Sequence, residues 1–181
     1  DKYSTTSWAR VSSVDLTLDG YSINAVNGLA LNPTNGIYYA IVRTGGPRRL
    51  VTVDIETGVC TDIGNLGGNF SSITFGTDGT LYGAQGSGGD YSLYTIDPAT
   101  AATTYQTELY DDGGQVLVFN PDDGFIYHFT YGYMDKIDPT DFSSTEISTD
   151  GDYWDYPFGA AYAGNGKFYL SDYDQAMFSV T

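Results

Sequence analysis

The chain has 181 residues, of which 41% are hydrophobic and 17% charged, and it carries a net charge of −16. That length buries one core and argues for a single domain, and the apolar content excludes a disordered acidic tail. An excess of 23 acidic over 7 basic residues repels phosphate backbones and anionic lipid, and no apolar run reaches the ~20 residues of a membrane span, so neither nucleic acid nor membrane insertion is expected.

With 23 Gly and 17 Tyr, the composition is that of an all-β protein rich in turns. Asp far outnumbers Glu because a short carboxylate folds back onto turn backbone, whereas Glu favours helices. Cys60 is the only cysteine, so there is no intrachain disulfide and no zinc spacing. The chain begins at Asp1 rather than Met, which reads as a processed or excised form. The Tyr, Gly, Ser, Thr and Asp-rich, Lys-poor make-up points to an extracellular, secreted setting.

In chain order, residues 1–7 are polar, and Trp8-Ala-Arg-Val-Ser-Ser-Val-Asp-Leu-Thr17 alternates with the period of a strand. From residue 27 one pattern recurs four times. Leu29-Ala-Leu-Asn-Pro-Thr-Asn-Gly-Ile-Tyr-Tyr39 leads to Leu50-Val-Thr-Val-Asp54, and Ile73-Thr-Phe-Gly-Thr-Asp-Gly-Thr-Leu-Tyr82 leads to Leu93-Tyr-Thr-Ile-Asp97. Leu117-Val-Phe-Asn-Pro-Asp-Asp-Gly-Phe-Ile-Tyr127 leads to Met134-Asp-Lys-Ile-Asp138, and Ala160-Ala-Tyr-Ala-Gly-Asn-Gly-Lys-Phe-Tyr169 leads to Ala176-Met-Phe-Ser-Val180. The turn glycines Gly36, Gly79, Gly124 and Gly166 recur at steps of 43, 45 and 42 residues, the period of roughly 40–45 residues of a four-stranded propeller blade.

Each repeat predicts strands a to d. Strand a covers 29–31, 73–75, 117–119 and 160–162, and strand b covers 37–42, 80–84, 125–130 and 167–171. Strand c covers 50–54, 91–97, 133–138 and 176–180, and strand d covers 59–63, 103–109 and 144–148. The fourth repeat ends before a strand d, while residues 8–17 are a spare strand at the other end. The predicted fold is therefore all-β: a small four-bladed β-propeller over residues 1–181, with blades near 27–68, 69–113, 114–156 and 157–181 plus 8–17. The N-terminal strand, from this chain or a neighbouring one, completes the last blade and hides its edge. Connections d-to-a and b-to-c share one face of such a ring, at 19–26, 43–49, 64–69, 85–90, 110–113, 150–157 and 172–175. These longer loops are where recognition is expected.

Gly28-Leu-Ala-Leu-Asn-Pro33, Gly79-Thr-Leu-Tyr82 and Leu93-Tyr-Thr-Ile-Asp-Pro98 carry a resemblance. The chain is similar, from residue 27 on, to the NHL, YVTN and gluconolactonase-like group of propellers, and more closely to secreted propeller-repeat proteins of unassigned function. The resemblance implies the fold and no single activity. Gluconolactonase-like propellers hold Ca²⁺ on channel Glu, Asn and Asp. Here strand a is almost entirely apolar, and Glu56, Glu108 and Glu146 fall on turns or strand d.

His128, the only histidine, reads as a strand residue packed between blades, and no G-x-S-x-G elbow offers it a nucleophile. No catalytic residue is assigned, and the chain is read as a non-enzyme. Asp150, Asp152 and Asp155, with Asp111, Asp112, Asp172 and Asp174 behind them, offer the hard oxygen ligands that suit Ca²⁺; turn capping is the competing reading. Tyr153, Trp154 and Tyr156, with Tyr131 and Tyr173, gather aromatics suited to stacking on sugars or proteins. Asn69-Phe-Ser71 is a glycosylation sequon. Arg43, Arg48 and Arg49 concentrate basic charge in one b-to-c loop, either as a solvated loop or as a patch for acidic loops of another copy.

Two functions follow. The first is a non-enzymatic extracellular structural module, a filament or surface-layer protomer that self-assembles through Trp8, Val11, Val14, Leu16 and the three arginines. The second is a carbohydrate-binding or adhesion propeller that uses the aromatic and Asp-rich loops on glycans.

Overall fold

Turn chemistry cuts this chain into short strands. Gly36, Gly79, Gly124 and Gly166 close the first hairpin of their repeats at φ of 73°, 87°, 80° and 73°, a region where a side chain is strained. Asp carboxylates close the later turns. Asp54 Oδ1 accepts the Glu56 N–H at 2.9 Å, Asp97 Oδ1 that of Ala99 at 2.8 Å, and Asp138 Oδ1 that of Thr140 at 2.8 Å.

The computed structural model describes the chain apart from residues 5, 8, 87, 111–114, 148–155, 172–176 and 181, and the backbone alone of 177–180. An N-terminal hairpin pairs β1 (Lys2–Tyr3) with β2 (Arg10–Ser12). The first blade follows: β3 (Thr17–Leu18), β4 (Ala25–Leu31), β5 (Tyr38–Arg43), β6 (Arg49–Val53) and β7 (Val59–Asn65), in the order β3-β7-β6-β5-β4. The second blade is β8 (Phe70–Phe75), β9 (Leu81–Gln85), β10 (Ser92–Ile96) and β11 (Thr103–Glu108). The third is β12 (Val116–Asn120), β13 (Phe125–Thr130), β14 (Tyr133–Ile137) and β15 (Ser144–Ile147). The fourth is β16 (Gly159–Gly164), β17 (Lys167–Ser171) and β18 (Met177–Val180). Within each blade, consecutive strands pair antiparallel, except β3, which joins the first blade parallel to β7. This is a β-propeller, with β4, β8, β12 and β16 as its successive inner strands.

The core lies between blades. Tyr39, Ile41 and Leu50 of the first blade meet Phe70, Ile73, Phe75, Leu81 and Ile96 of the second. Tyr82, Ala84 and Leu93 then meet Leu117, Ile126 and Ile137, and Val118, Phe129 and Met134 meet Phe168 and Leu170. Equivalent repeat positions are used at each junction. Hydroxyls reinforce the second: Ser72 Oγ accepts the Leu117 N–H at 3.0 Å, and Thr74 Oγ1 accepts the Phe119 N–H at 2.9 Å.

The segment expected to complete the fourth blade does something else within this chain. Arg10–Ser12 pairs back onto Lys2–Tyr3, and Thr17–Leu18 runs parallel to Val59–Cys60 on the first blade. Among the described residues the fourth blade has three strands. The reason is local burial. Leu16 and Leu18 cover Ala40, Val42, Val51, Val53 and Cys60, and the Thr17 N–H donates to Gly58 O at 2.9 Å. The first blade also lies nearest in sequence, so this contact closes the shortest loop. Gly58 permits the approach, since a Cβ there would fall 2.2 Å from Asp15 O.

Candidate functional site

The inner-strand positions of the first blade differ in burial from those of the other three. Ile73 and Phe75, Leu117 and Phe119, and Ala160 and Tyr162 pack against the blade before them. Leu29 and Leu31 hold the same positions in the first blade, yet they are 56% and 45% exposed. Leu16, Leu18 and Ile23 cover the outer part of that face and stop short of β4. Of the equivalent tyrosines, Tyr39 and Tyr82 are buried under the next blade, while Tyr127 and Tyr169 are half-buried.

A cleft of about 900 Å³ is lined by Leu29 of the first blade, Ala161 and Tyr169 of the fourth, and Asp1, Tyr3 and Ser4 of the N-terminal hairpin. A second groove of about 510 Å³ runs between the hairpin and the first blade, along Val14, Leu16, Val26, Leu29 and Ile55. Toward the propeller axis, a cavity of about 290 Å³ is lined by Asn27, Ser72, Leu117 and Phe158. The Asn27 Oδ1 is buried without a hydrogen-bond partner. The hairpin is itself exposed, at Tyr3 and Val11 above all. One ion pair joins it to the first blade, Lys2 Nζ to Glu56 Oε1 at 3.7 Å, with both side chains largely in solvent. Such a pair holds weakly.

The basic loop is largely engaged within the fold. The Arg48 guanidinium donates to the Phe70 carbonyl, and burial, with Arg43 nearby, lowers its pKa. Arg49 Nε donates to Asp62 Oδ1 at 2.7 Å and lies 4.7 Å from the Tyr21 ring centre. The hydrogen bond to Asp62 raises the Arg49 pKa. Arg43 is the exposed member of the three. Among the strand positions expected to serve assembly, Val11 and Val14 are exposed and Leu16 packs on the first blade.

Two of the expected aromatics meet. The Tyr131 and Tyr156 ring centres lie 5.1 Å apart, and nearby in sequence Tyr110 stacks on Tyr133 at 4.3 Å. Asn69 is half-buried in the turn entering β8, where its N–H donates to Gln85 Oε1 at 3.3 Å. Trp8, Asp150, Asp152, Tyr153, Trp154, Asp155 and Tyr173 lie outside the described residues. Among the described residues, no three His, Cys, Asp or Glu side chains converge as a metal site.

His128 is fully buried, and its surroundings were not readable from the sequence. Its Nδ1 lies 2.8 Å from Asp135 Oδ1 and its Nε2 lies 2.6 Å from Gln115 Oε1. Ser144 Oγ donates to the other Asp135 oxygen. The serine thus reaches the acid and not the imidazole, so these groups form a structural chain rather than a nucleophile–base pair. Composition places Asp135 in a turn-rich acidic chain; only strand register sets it opposite His128.

Residues 5–181 match a family described as a repeat of unknown function, DUF6923. No curated protein matches the sequence. Solved structures share the β-propeller fold. The Nidogen/Laminin complex aligns with a TM-score of 0.62 at 12% identity, covering 85% of this chain and 74% of that one. A protein of unknown function from Bacteroides thetaiotaomicron gives 0.64 at 15% identity, over 85% and 46%. Kuenenia stuttgartiensis hydrazine synthase gives 0.58 at 14% identity, over 95% and 49%. The chain thus spans about three quarters of the first and about half of the other two.

Proposed function

The chain belongs to the DUF6923 repeat family, and from that premise we propose that it is a non-enzymatic extracellular structural module, a filament or surface-layer protomer joined to its neighbours by strand and loop contacts. The observation that carries this reading is the N-terminal hairpin: among the described residues Arg10–Ser12 pairs with Lys2–Tyr3 alone and joins no blade, so its strand edge is open. An open strand edge is a template for another chain. Arg10–Ser12 is exposed and has the alternation of a blade strand, so it can add to a strand edge of the next protomer. A head-to-tail contact of this kind repeats into a filament. Exposed Arg43 is a basic point for the acidic loops of a neighbour. The likeness to a propeller solved as a Nidogen/Laminin complex supports a scaffold for protein contacts.

Sedimentation velocity and negative-stain imaging test the proposal. Species well above 19.6 kDa that grow with concentration are expected; a chain that stays monomeric at every concentration overturns the reading.

A second reading rests on the Tyr131–Tyr156 and Tyr110–Tyr133 ring pairs: an adhesion propeller that stacks on glycans. Binding on a glycan array that falls with Tyr156→Ala supports it, and an empty array removes it. Ca²⁺ at Asp150, Asp152 and Asp155 and a glycan on Asn69 remain parts of the extracellular proposal, as does placement beside the NHL, YVTN and gluconolactonase-like propellers. A melting temperature unchanged by EDTA rules out the Ca²⁺.

A further inference from the structure

We infer that the buried row Ser144–Asp135–His128–Gln115 is a proton-read latch on Tyr110: its proton count sets which way the Gln115 amide points, and that orientation decides whether the Tyr110–Tyr133 ring pair is held in place. The consequence for binding rests on the glycan-stacking reading above; the latch itself rests on the geometry of the row.

Strand register builds the row. Leu117 and Asp135 stand opposite His128 on its two sides, and Glu146 stands opposite Asp135. Tyr133 and Ser144, two places along their strands, share that face. His128, Gln115 and Asp135 are 0%, 1% and 2% exposed, so their bonds are made to one another and not to bulk solvent. The row ends on a backbone, where Gln115 Nε2 donates to Tyr110 O at 3.2 Å. Ser71 Oγ donates to the Gln115 carbonyl at 2.9 Å. That bond fixes the Gln115 main chain to the second blade and leaves its amide as the part that turns. Tyr110 is 53% exposed, and its ring stacks on Tyr133 at 4.3 Å.

Donors and acceptors then set the proton count. With Gln115 Oε1 facing the ring, His128 Nε2 carries one proton and a second lies between Nδ1 and Asp135 Oδ1, which leaves Gln115 Nε2 to hold Tyr110. Without the second proton, Asp135 is an acceptor only. The remaining ring proton moves to Nδ1 to meet it, Nε2 becomes an acceptor, and Gln115 must turn its Nε2 to the ring. Its Oε1 then faces Tyr110 O, two acceptors with no proton between them, and the tether is lost. The row with its second proton holds Tyr110, and the row without it lets Tyr110 go.

The other titratable groups around the row leave this role to it. Glu146 is exposed. Burial first, then the Asp135 and Glu146 carboxylates and Tyr110, hold the Tyr133 phenol up, so it keeps its proton at neutral pH. The second blade brings Ala84, Leu93, Leu109 and Tyr82 to the cluster around Leu117, and burial, then Asp78, raises Tyr82 as well. Lys136 sits on the opposite face, over the Phe125 ring.

The test is NMR of the full chain, labelled in its tyrosine and histidine rings, from acid to alkaline pH over the range in which it stays folded. The Tyr110 ring shift, assigned with Tyr110→Phe, is expected to move with the same midpoint as the His128 ring nitrogens. Asp135→Asn keeps the shape of the row, since its amide donates to Nδ1 while its oxygen accepts from Ser144, and it removes the acid. Tyr110 is then expected to stay in its held position at every pH. Gln115→Met keeps the volume and removes the tether, so Tyr110 takes its released position throughout while His128 still titrates; if one variant fails to fold, the other decides. The glycan array read on either side of the midpoint is expected to give signals about fivefold weaker on the alkaline side, the weight of one neutral hydrogen bond. A Tyr110 shift that ignores the His128 titration, a His128 that keeps one proton state throughout, or an Asp135→Asn chain that still follows pH overturns the latch. An array signal that does not follow Tyr110 overturns its role in binding. An empty array removes the glycan reading and leaves the latch to be judged by the Tyr110 shift.

Discussion

His128 Nδ1 stands 2.8 Å from Asp135 Oδ1 inside the third blade, with both side chains shut off from solvent. The opposite ring nitrogen faces Gln115 Oε1, and Gln115 cannot turn its amide round without losing the bond from its Nε2 to Tyr110 O at 3.2 Å. Each ring nitrogen thus faces an oxygen, and the tautomer decides which of them donates. Removing one partner of a buried hydrogen-bonded pair leaves the other unsatisfied, so Asp135→Ala is expected to cost about 1–3 kcal/mol in urea unfolding. A loss under about 1 kcal/mol argues that the row His128–Asp135 is dispensable. Nitrogen chemical shifts of the single histidine report which ring nitrogen carries a proton.

The hydroxyls between the second and third blades give a second expectation. Ser72→Ala leaves the Leu117 N–H buried without an acceptor, and Thr74→Val does the same to the Phe119 N–H. Each is expected to lower stability by about 1–3 kcal/mol, read by chemical denaturation. The double variant tests whether the two act as one seam, since both bonds end on β12 and need not add.

Acid sensitivity should trace to the turns. Backbone N–H donors from Glu56, Thr80, Ala99 and Ser143 hold the carboxyls of Asp54, Asp78, Asp97 and Asp141 below their ordinary value of 3.8. A carboxyl depressed in the fold contributes stability above its unfolded value and loses it as pH falls through the lower folded value. The melting temperature is therefore expected to drop below pH about 4. Neutralising the large negative charge relieves self-repulsion and works in the opposite direction, so the comparison that decides is with Asp97→Asn. That variant keeps the turn acceptor and should show a shallower acid slope than the parent; equal slopes remove the turn from the explanation.

Alkaline behaviour runs the other way. Burial first, and the bonded Asp90 and Asp123 carboxylates next, push the Tyr94 and Tyr127 phenols up to about 12. Groups raised in this way support the fold below the ordinary phenol value of about 10 and lose that support as pH climbs through the folded value. Phenolate absorbance should rise for the exposed tyrosines first and for this pair only at higher pH. Asp123→Asn is expected to bring Tyr127 down; an unchanged titration shows that burial alone accounts for it.

The blade pattern was readable because hairpin geometry demands particular residues. A left-handed backbone at Gly36, Gly79, Gly124 and Gly166 and a folded-back carboxylate at Asp54, Asp97 and Asp138 leave their mark in the letters themselves. Where a strand goes leaves no such mark. Residues 8–17 alternate as a blade strand does, yet Leu16 and Leu18 find their burial on the first blade, and the alternation is the same for either destination. Leu29 and Leu31 look like Ile73 and Phe75 in sequence, yet they are exposed where the other two are buried against the first blade. The engagement of the basic loop within the fold was hidden for a related reason: Arg48 and Arg49 bond to Phe70 and Asp62, partners that register and blade packing select. The Asp-rich and Trp-bearing loop at 150–155 lies outside the described residues, so its expected ligands stand as proposals.

Cys60 lies opposite Leu18 in the strand pairing and is buried beneath it, with its thiol shifted up by that burial. Because the chain has a single cysteine, any thiol reagent reads one position. A probe that reacts at Cys60 reports that β3 has lifted from the first blade, while a probe that stays unreacted reports that β3 keeps its place. The molecule thus contains its own clock for how far the N-terminal segment peels away, and the rate of labelling measures that opening without any added tag.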